Sequence, residues 1–235
     1  MSATLTLSQV LDRPDVWRGD ALARAPLPGV PTGFAKLDRE LPGGGWPRGG
    51  LTEILPLHRG IGELSLLLPA LARLSSDELA WLVCVASPQP LHAPALHAYG
   101  LDLSRLLVAS APGRDAVWAC ERSLAADGVG AVVAWLPEVQ ANALRRLQFA
   151  AESSRTLLFV FRPAACASQP SPAPLRLALE GEGEQLIVRL LKRRGAAQPM
   201  PLSIAIRRPL RLSHALACPV PAAPAARSLS QPAVA

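Results

Sequence analysis

Residues 49–64 have the spacing of a phosphate-binding loop but lack the side chains that such a loop uses. A glycine pair precedes the apolar run 51–55, and glycines follow it, which is typical of a strand that leads into a phosphate loop. There, glycine N–H groups surround the phosphates, a lysine contacts the terminal ones, and a Ser or Thr hydroxyl holds magnesium. The corresponding stretch here reads Arg59, Gly60, Ile61, Gly62, Glu63 and Leu64. The pattern predicts the architecture of an ATPase without its chemistry.

Apolar runs and helical repeats alternate after this loop. Continuous apolar runs predict strands at 51–55, 80–86, 106–109, 131–136 and 156–161, and amphipathic spacing predicts helices at 64–76, 93–99, 115–126 and 140–153. This alternation predicts an α/β fold with a doubly wound, mostly parallel sheet flanked by helices. Three further segments, 175–180, 185–191 and 201–207, predict antiparallel edge strands toward the C-terminus.

The ends of the chain differ in composition from its centre. Residues 1–31 predict an N-terminal helix and a Pro-rich linker, and residues 32–212 form the predicted core. Residues 213–235 are rich in Ala and Pro without periodicity, which predicts a disordered tail.

Composition narrows the class of protein. Half of the 235 residues are hydrophobic, enough for one well-packed core, yet no run is long enough to span a membrane and no signal peptide precedes it. We therefore expect a cytoplasmic protein without a membrane partner. The cysteines, Cys84 among them, lie far apart and form no Cys-x-x-Cys pair, which argues against a metal site and favours burial of Cys84 in its apolar run.

The charge is unevenly distributed. Residues 1–140 carry 11 Lys/Arg against 14 Asp/Glu, whereas residues 141–235 carry 13 against 4. The basic second part indicates contact with nucleic acid or another acidic partner, or a solvated face.

The order of motifs resembles that of the RecA-like core and, more closely, of the bacterial ImuA family, RecA-like proteins linked to damage-induced translesion synthesis. The residues that carry this resemblance are Gly33-Phe34-Ala35-Lys36-Leu37-Asp38, Leu41-Pro42-Gly43-Gly44-Gly45, Gly49-Gly50-Leu51-Thr52-Glu53-Ile54, Arg59-Gly60-Ile61-Gly62-Glu63-Leu64 and Leu66-Leu67-Leu68-Pro69-Ala70-Leu71. The resemblance spans about residues 28–208.

The resemblance locates four positions at which a RecA-like ATPase needs chemistry. The degenerate loop (Arg59, Gly60, Gly62 and Glu63) is the first, and Ser87-Pro88 stands where a glutamate would activate water. Trp135 replaces the aspartate that would orient magnesium, and Arg162 follows the strand that should end in a γ-phosphate sensor. We therefore expect no catalytic residue, no cofactor and no nucleotide hydrolysis.

The resemblance also implies a role in the SOS response to DNA damage and in mutagenesis. The implied partner is an ImuB-like homologue of Y-family polymerases, with an error-prone C-family polymerase as an indirect partner. An N-terminal segment that docks on a neighbouring protomer, as in RecA-like filaments, would give a homo-oligomer, whereas docking on its own core would not.

Two alternatives remain. A SulA-type cell-division inhibitor is a related RecA-like protein without a phosphate loop, and it binds the tubulin-like division protein. An ATPase with an atypical loop would use Arg59 in place of the missing lysine.

A basic group near the C-terminus provides the candidates for DNA contact, namely Lys192, Arg193, Arg194, Arg207, Arg208 and Arg211. If the strands that carry them pair, these cations converge on one edge as a phosphate-tracking patch. The alternative is that they protect exposed edge strands from aggregation. Arg145 and Arg146 are expected on a solvated helix face, Trp118 in the core, and Trp46 in an exposed turn.

Overall fold

An eight-stranded sheet organises the residues that the computed structural model describes, 29–193 and 200–206. A small antiparallel pair, β1 (Gly29–Val30) and β2 (Trp46–Pro47), precedes it. The sheet contains β3 (Leu51–Pro56), β4 (Trp81–Val85), β5 (Leu106–Ala109), β6 (Val129–Trp135), β7 (Leu157–Phe161), β8 (Leu175–Glu182), β9 (Gln185–Lys192) and β10 (Leu202–Ala205). Their order is β10-β9-β8-β3-β7-β6-β4-β5, and strands β3 to β8 pair in parallel with one another.

Helices cover both faces of this sheet. They are α1 (Ala35–Glu40), α2 (Leu68–Ser76), α3 (Ala93–Ala98), α4 (Gly113–Leu124) and α5 (Ala141–Ser154), with 3₁₀ turns at Glu63–Leu66, Leu103–Arg105 and Ala164–Ser168. The first three helices pack on one core and the last two on the other. The predicted α/β class and its mostly parallel sheet are confirmed. Within the described ranges, every helix is too short or too polar to cross a bilayer.

The central strands are buried on both faces, as parallel strands between two helical layers must be. In β6, Val133 belongs to the core beneath α2, and its neighbour Val132 to the core beneath α4 and α5. Cys84 lies buried in β4 as predicted, and the loss of solvent raises the pKa of its thiol to about 12.

Strand β8 differs from its prediction. It was expected to be an antiparallel edge strand, but it lies inside the sheet, parallel to β3 on one side and antiparallel to β9 on the other. Leu175, Leu177 and Leu179 bury one face of it, and Arg176 is buried on the other. Both faces of its first half are thus covered, which an edge strand does not need.

Two tryptophans also differ from their predictions. Trp46 was expected to be exposed, but it is fully buried and meets the Phe159 ring edge-on, with the ring centroids 5.2 Å apart. Trp118 was expected in the core, but it is 59% exposed. It lies two residues from both Ala116 and Cys120, the residues that α4 buries, and two residues turn a helix by roughly 200°. Trp118 therefore points away from the sheet.

Candidate functional site

The candidate site lies where the parallel strands end, because their carboxyl ends share one edge of the sheet. Strand β3 leads through residues 57–62 into the 3₁₀ turn Glu63–Leu66, and α2 follows. This is the strand–loop–helix unit that the sequence predicted. Gly60 and Gly62 both have positive φ angles, +78° and +93°, so the loop uses the backbone freedom of its glycines.

A carboxylate of the loop binds one of the loop's own amide groups. The N–H group of Gly60 donates a hydrogen bond to Oε1 of Glu63 at 3.1 Å. In a phosphate loop, such an amide faces a phosphate oxygen. Here the carboxylate of Glu63 accepts the hydrogen bond of this amide, and its negative charge opposes the approach of a phosphate.

The second half of the loop packs against apolar side chains from the distal part of the sheet. Ile206, which is 6% exposed, lies so close to Gly62 that a Cβ atom on the glycine would overlap its Cδ1. Ile61 packs against Gly181 of β8, where an added Cβ would lie 3.0 Å from the Cβ of Ile61. The loop is therefore packed against β8 and the end of β10.

The neighbouring strand ends carry Ser87 and Trp135 at the positions where a general base and a magnesium ligand were sought. At the end of β4, the Ser87 hydroxyl donates to the carbonyl oxygen of Gln89 at 2.6 Å and is part of a turn. At the end of β6, the indole of Trp135 stacks on the ring of Phe161, with the centroids 5.1 Å apart and the planes at 17°. An aromatic pair thus fills the position at which a magnesium ligand was sought.

A buried ion-pair triad lies behind this edge, on the face that α4 and α5 cover. Glu53, in the centre of β3, is completely buried. Its Oε1 atom lies 2.6 Å from Nη1 of Arg162, and its Oε2 atom accepts a hydrogen bond from Nε of Arg176. These two contacts join three adjacent strands. Glu53 lies in β3, Arg176 lies in β8, and Arg162 directly follows β7.

The two arginines also hold the chain segment after β7. Arg176 donates to the carbonyl oxygens of Cys166 and Ala167 at 2.8 and 3.1 Å, within the 3₁₀ turn Ala164–Ser168. Arg162 donates to Oε1 of Gln169 at 3.2 Å. The turn is therefore tied to the sheet through the triad, and Arg162 is directed toward Glu53 instead of a bound phosphate.

Sequence reasoning missed this triad. Glu53 is the one charged residue in the apolar run 51–55, and a lone carboxylate in a buried strand needs a cationic partner. That signal was available, but its partners Arg162 and Arg176 lie more than a hundred residues further along the chain. Only the pairing of β3 with β7 and β8 brings them together.

The candidate DNA-contacting residues are in part engaged within the protein. Nζ of Lys192 donates to the carbonyl oxygen of Ser171 at 3.0 Å. Arg193 forms an ion pair with the Glu40 carboxylate at 3.1 Å and donates to the carbonyl oxygen of that residue, which ends α1. Arg194, Arg207, Arg208 and Arg211 lie outside the described residues, so contact with DNA stays a prediction.

The strands that lead to these cations, β9 and β10, pair with each other and are antiparallel. Ala205, at the end of β10, lies opposite Gln185, at the start of β9, whereas Lys192 stands at the other end of β9. The chain therefore leaves β10 far from Lys192. Within the described residues, Lys192 therefore lies at the opposite end of this strand pair from Ala205, and convergence of the remaining cations stays a prediction.

These features define a class of protein: an α/β domain with a mostly parallel sheet, whose strand–loop–helix unit is closed by its own carboxylate. Residues 39–166 match the family model described as the MT3502 N-terminal domain, and this is more than half of the chain. The chain belongs to this family.

The chain is also similar to the cell division inhibitor SulA of Photorhabdus laumondii subsp. laumondii. The two are 33% identical over 112 residues, which is 47% of this chain and 63% of SulA. The matched region thus spans less than two thirds of that protein. This similarity supports the predicted relationship to SulA at a coarse level.

The triad leads to a prediction about stability. Replacing Glu53 with Gln leaves two buried guanidinium groups without a counter-charge, so we expect Glu53→Gln to lower the free energy of unfolding by about 3–5 kcal/mol. The matched control is Glu182→Gln on the same sheet, where the side chain is exposed and the change should stay within about 0.5 kcal/mol. Urea unfolding of both variants measures the difference, and equal midpoints would show that the triad does not stabilise the fold.

The loop leads to a second prediction, since both of its glycines have positive φ but only Gly62 has a close neighbour. An alanine at Gly60 meets no neighbouring atom, so Gly60→Ala should cost only the strain of its positive φ, about 1–2 kcal/mol. An alanine at Gly62 meets Ile206 as well, and we expect a further loss of about 1–3 kcal/mol. Thermal or urea unfolding compares the two variants. Equal losses would contradict the packing of Ile206 on the loop.

Proposed function

We propose that this chain is a non-catalytic, RecA-like accessory protein of SOS-induced translesion DNA synthesis. In this role it supports an ImuB-like protein and, through that protein, an error-prone C-family polymerase. The single observation that carries the proposal is the closed loop, in which Glu63 occupies the Gly60 amide that a phosphate would need. A phosphate-loop fold that no longer receives a phosphate retains its surfaces, and these are available for protein partners.

The side chains at the ends of the parallel strands favour a scaffold role and not an enzymatic one. A RecA-like ATPase needs a lysine, a general base, a magnesium ligand and a phosphate sensor near one another. The corresponding positions carry Glu63, Ser87, Trp135 and Arg162. Glu63, Trp135 and Arg162 are each committed to a contact within the protein, with a loop amide, an aromatic ring and a buried carboxylate respectively.

A second function is favoured by one specific observation. The similarity to a cell division inhibitor covers 112 residues at 33% identity. Under this alternative, the chain binds the tubulin-like division protein and blocks septum formation. The two proposals share the scaffold and differ in its partner.

Co-purification with the ImuB-like protein of the same genome separates the two proposals. We expect the full chain to co-elute with that protein as a stable complex, and a chain that ends at Leu212 shows whether the last residues contribute. Overexpression of the full chain should leave cell length unchanged. Filamentous cells together with no co-elution would contradict the translesion proposal and favour the division inhibitor.

A further inference from the structure

Two large aromatic side chains are exposed on neighbouring helices. Trp118 of α4 is 59% exposed, and Phe149 of α5 is 67% exposed. Both helices pack on the same face of the sheet, and both residues lie two positions from residues that their helix buries. The two side chains therefore point outward from the same helical layer.

The distance between the two aromatics follows from the helix geometry. α4 joins β5 to β6 and α5 joins β6 to β7, so both helices run in the same direction between parallel strands. An ion pair between Arg146 and Glu121, with Nε and Oε1 2.9 Å apart, sets these two residues at one level. Trp118 lies three residues before Glu121 and Phe149 three after Arg146, roughly 9 Å apart along the axes. With about 9 Å between the axes, the backbone positions of the two aromatics are about 13 Å apart.

Arginines flank both aromatics. Arg114, Trp118 and Arg122 form one stripe of α4 at intervals of four residues, and the guanidinium of Arg122 lies 5.6 Å from the Trp118 ring centroid. Arg145 lies four residues before Phe149 on α5. Among the residues that the structure describes, neither Arg114 nor Arg145 forms an ion pair. Within the described part of the chain, the surface therefore has cations without an ion-pair partner beside exposed aromatic rings, whereas its carboxylate Glu121 is already paired with Arg146.

We propose that this surface docks an acidic protein segment that carries two apolar side chains about 13 Å apart. The surface, called the α4–α5 face, consists of Arg114, Trp118, Arg122, Arg145 and Phe149. Trp and Arg are the residues that most often dominate binding energy at protein interfaces, and Phe is enriched there. The proposal goes beyond the proposed function, because it holds for either of the two roles.

Charge favours this occupant over a second copy of the chain. A two-fold contact places the same patch on both sides, so Arg114, Arg122 and Arg145 would face the same arginines. Like charges at a desolvated contact oppose binding. An acidic segment instead supplies the carboxylates that these arginines lack.

The contact between the Arg122 guanidinium and the Trp118 ring argues against single-stranded nucleic acid as the ligand of this face. Bases bind such proteins by stacking on exposed aromatic rings. Arg122 already covers one face of the Trp118 ring, so a base would have only the other face on which to stack. The cations are also few: the two helices carry four arginines against three carboxylates, Asp115, Glu121 and Glu152.

The test is fluorescence anisotropy with a labelled probe, Glu-Glu-Phe-Ser-Glu-Ser-Phe-Glu-Glu, added to the full chain. Its phenylalanines are four residues apart, about 13 Å in an extended peptide. We expect it to bind at least about tenfold more tightly than the same peptide with lysine at every glutamate position. The double variant Trp118→Ala/Phe149→Ala should lose about tenfold or more in affinity, and so should Arg114→Glu/Arg145→Glu. The matched control is Met200→Ala, since Met200 is 68% exposed elsewhere and its loss should leave the affinity unchanged.

Several outcomes would overturn the proposal. They are no binding of the acidic probe by the full chain, equal affinity of the Trp118→Ala/Phe149→Ala variant, and a preference for the lysine probe. Tighter binding of an oligothymidylate that the same variant abolishes would assign the face to nucleic acid. Sedimentation that shows a dimer of the full chain, but a monomer of the variant, would assign it to a second copy.

Discussion

The fold depends on one buried carboxylate. Glu53 stands in the centre of β3 without solvent, and such a charge is tolerated only when cations and hydrogen bonds surround it. Arg162 and Arg176 supply both, and they come from the strands on either side of β3. Arg176 also fixes the turn Ala164–Ser168 between those strands, and Arg162 binds the side chain of Gln169 just after it. The order of β7, β3 and β8 is thereby tied to a single set of contacts.

This constraint also affects the edge of the sheet. Arg162 follows β7 at the position where a phosphate sensor was sought, but its guanidinium is held by Glu53 behind the edge. Glu63 closes the loop after β3, and Trp135 and Phe161 stack where a metal ligand would be needed. Each position that would serve nucleotide chemistry instead makes a contact within the protein. These contacts are the basis of the proposal that the chain acts as a scaffold and not as an ATPase.

The sequence predicted the positions of the strands and helices well, but it predicted less well which elements lie beside one another. Apolar runs located β3, β4, β6 and β7 because strands between two helical layers are apolar on both faces. The edge strand β5 was located as well, although Leu107 and Val108 are exposed. The same rule could not show that β8 lies beside β3, since that depends on Arg176 meeting Glu53 across the chain. The prediction for Trp46 was wrong because its place in a Gly/Pro turn was weighed above its apolar ring, and the prediction for Trp118 was wrong because its residue type was weighed above its position. Trp46 follows a glycine turn that folds onto the core, and Trp118 lies on the outer side of α4. The degenerate loop was recognised from its missing side chains, but the bond between Gly60 and Glu63 required the structure.

We expect the loop after β3, in which the Gly60 amide donates to the carboxylate of Glu63, to bind no phosphate. Isothermal titration of the full chain with magnesium and ATP tests it most directly. The account predicts no saturable heat at ATP concentrations up to about 1 mM. Saturable binding at one site, abolished by Arg59→Ala, would place a phosphate in the loop with Arg59 in the role of the missing lysine, and would contradict the account.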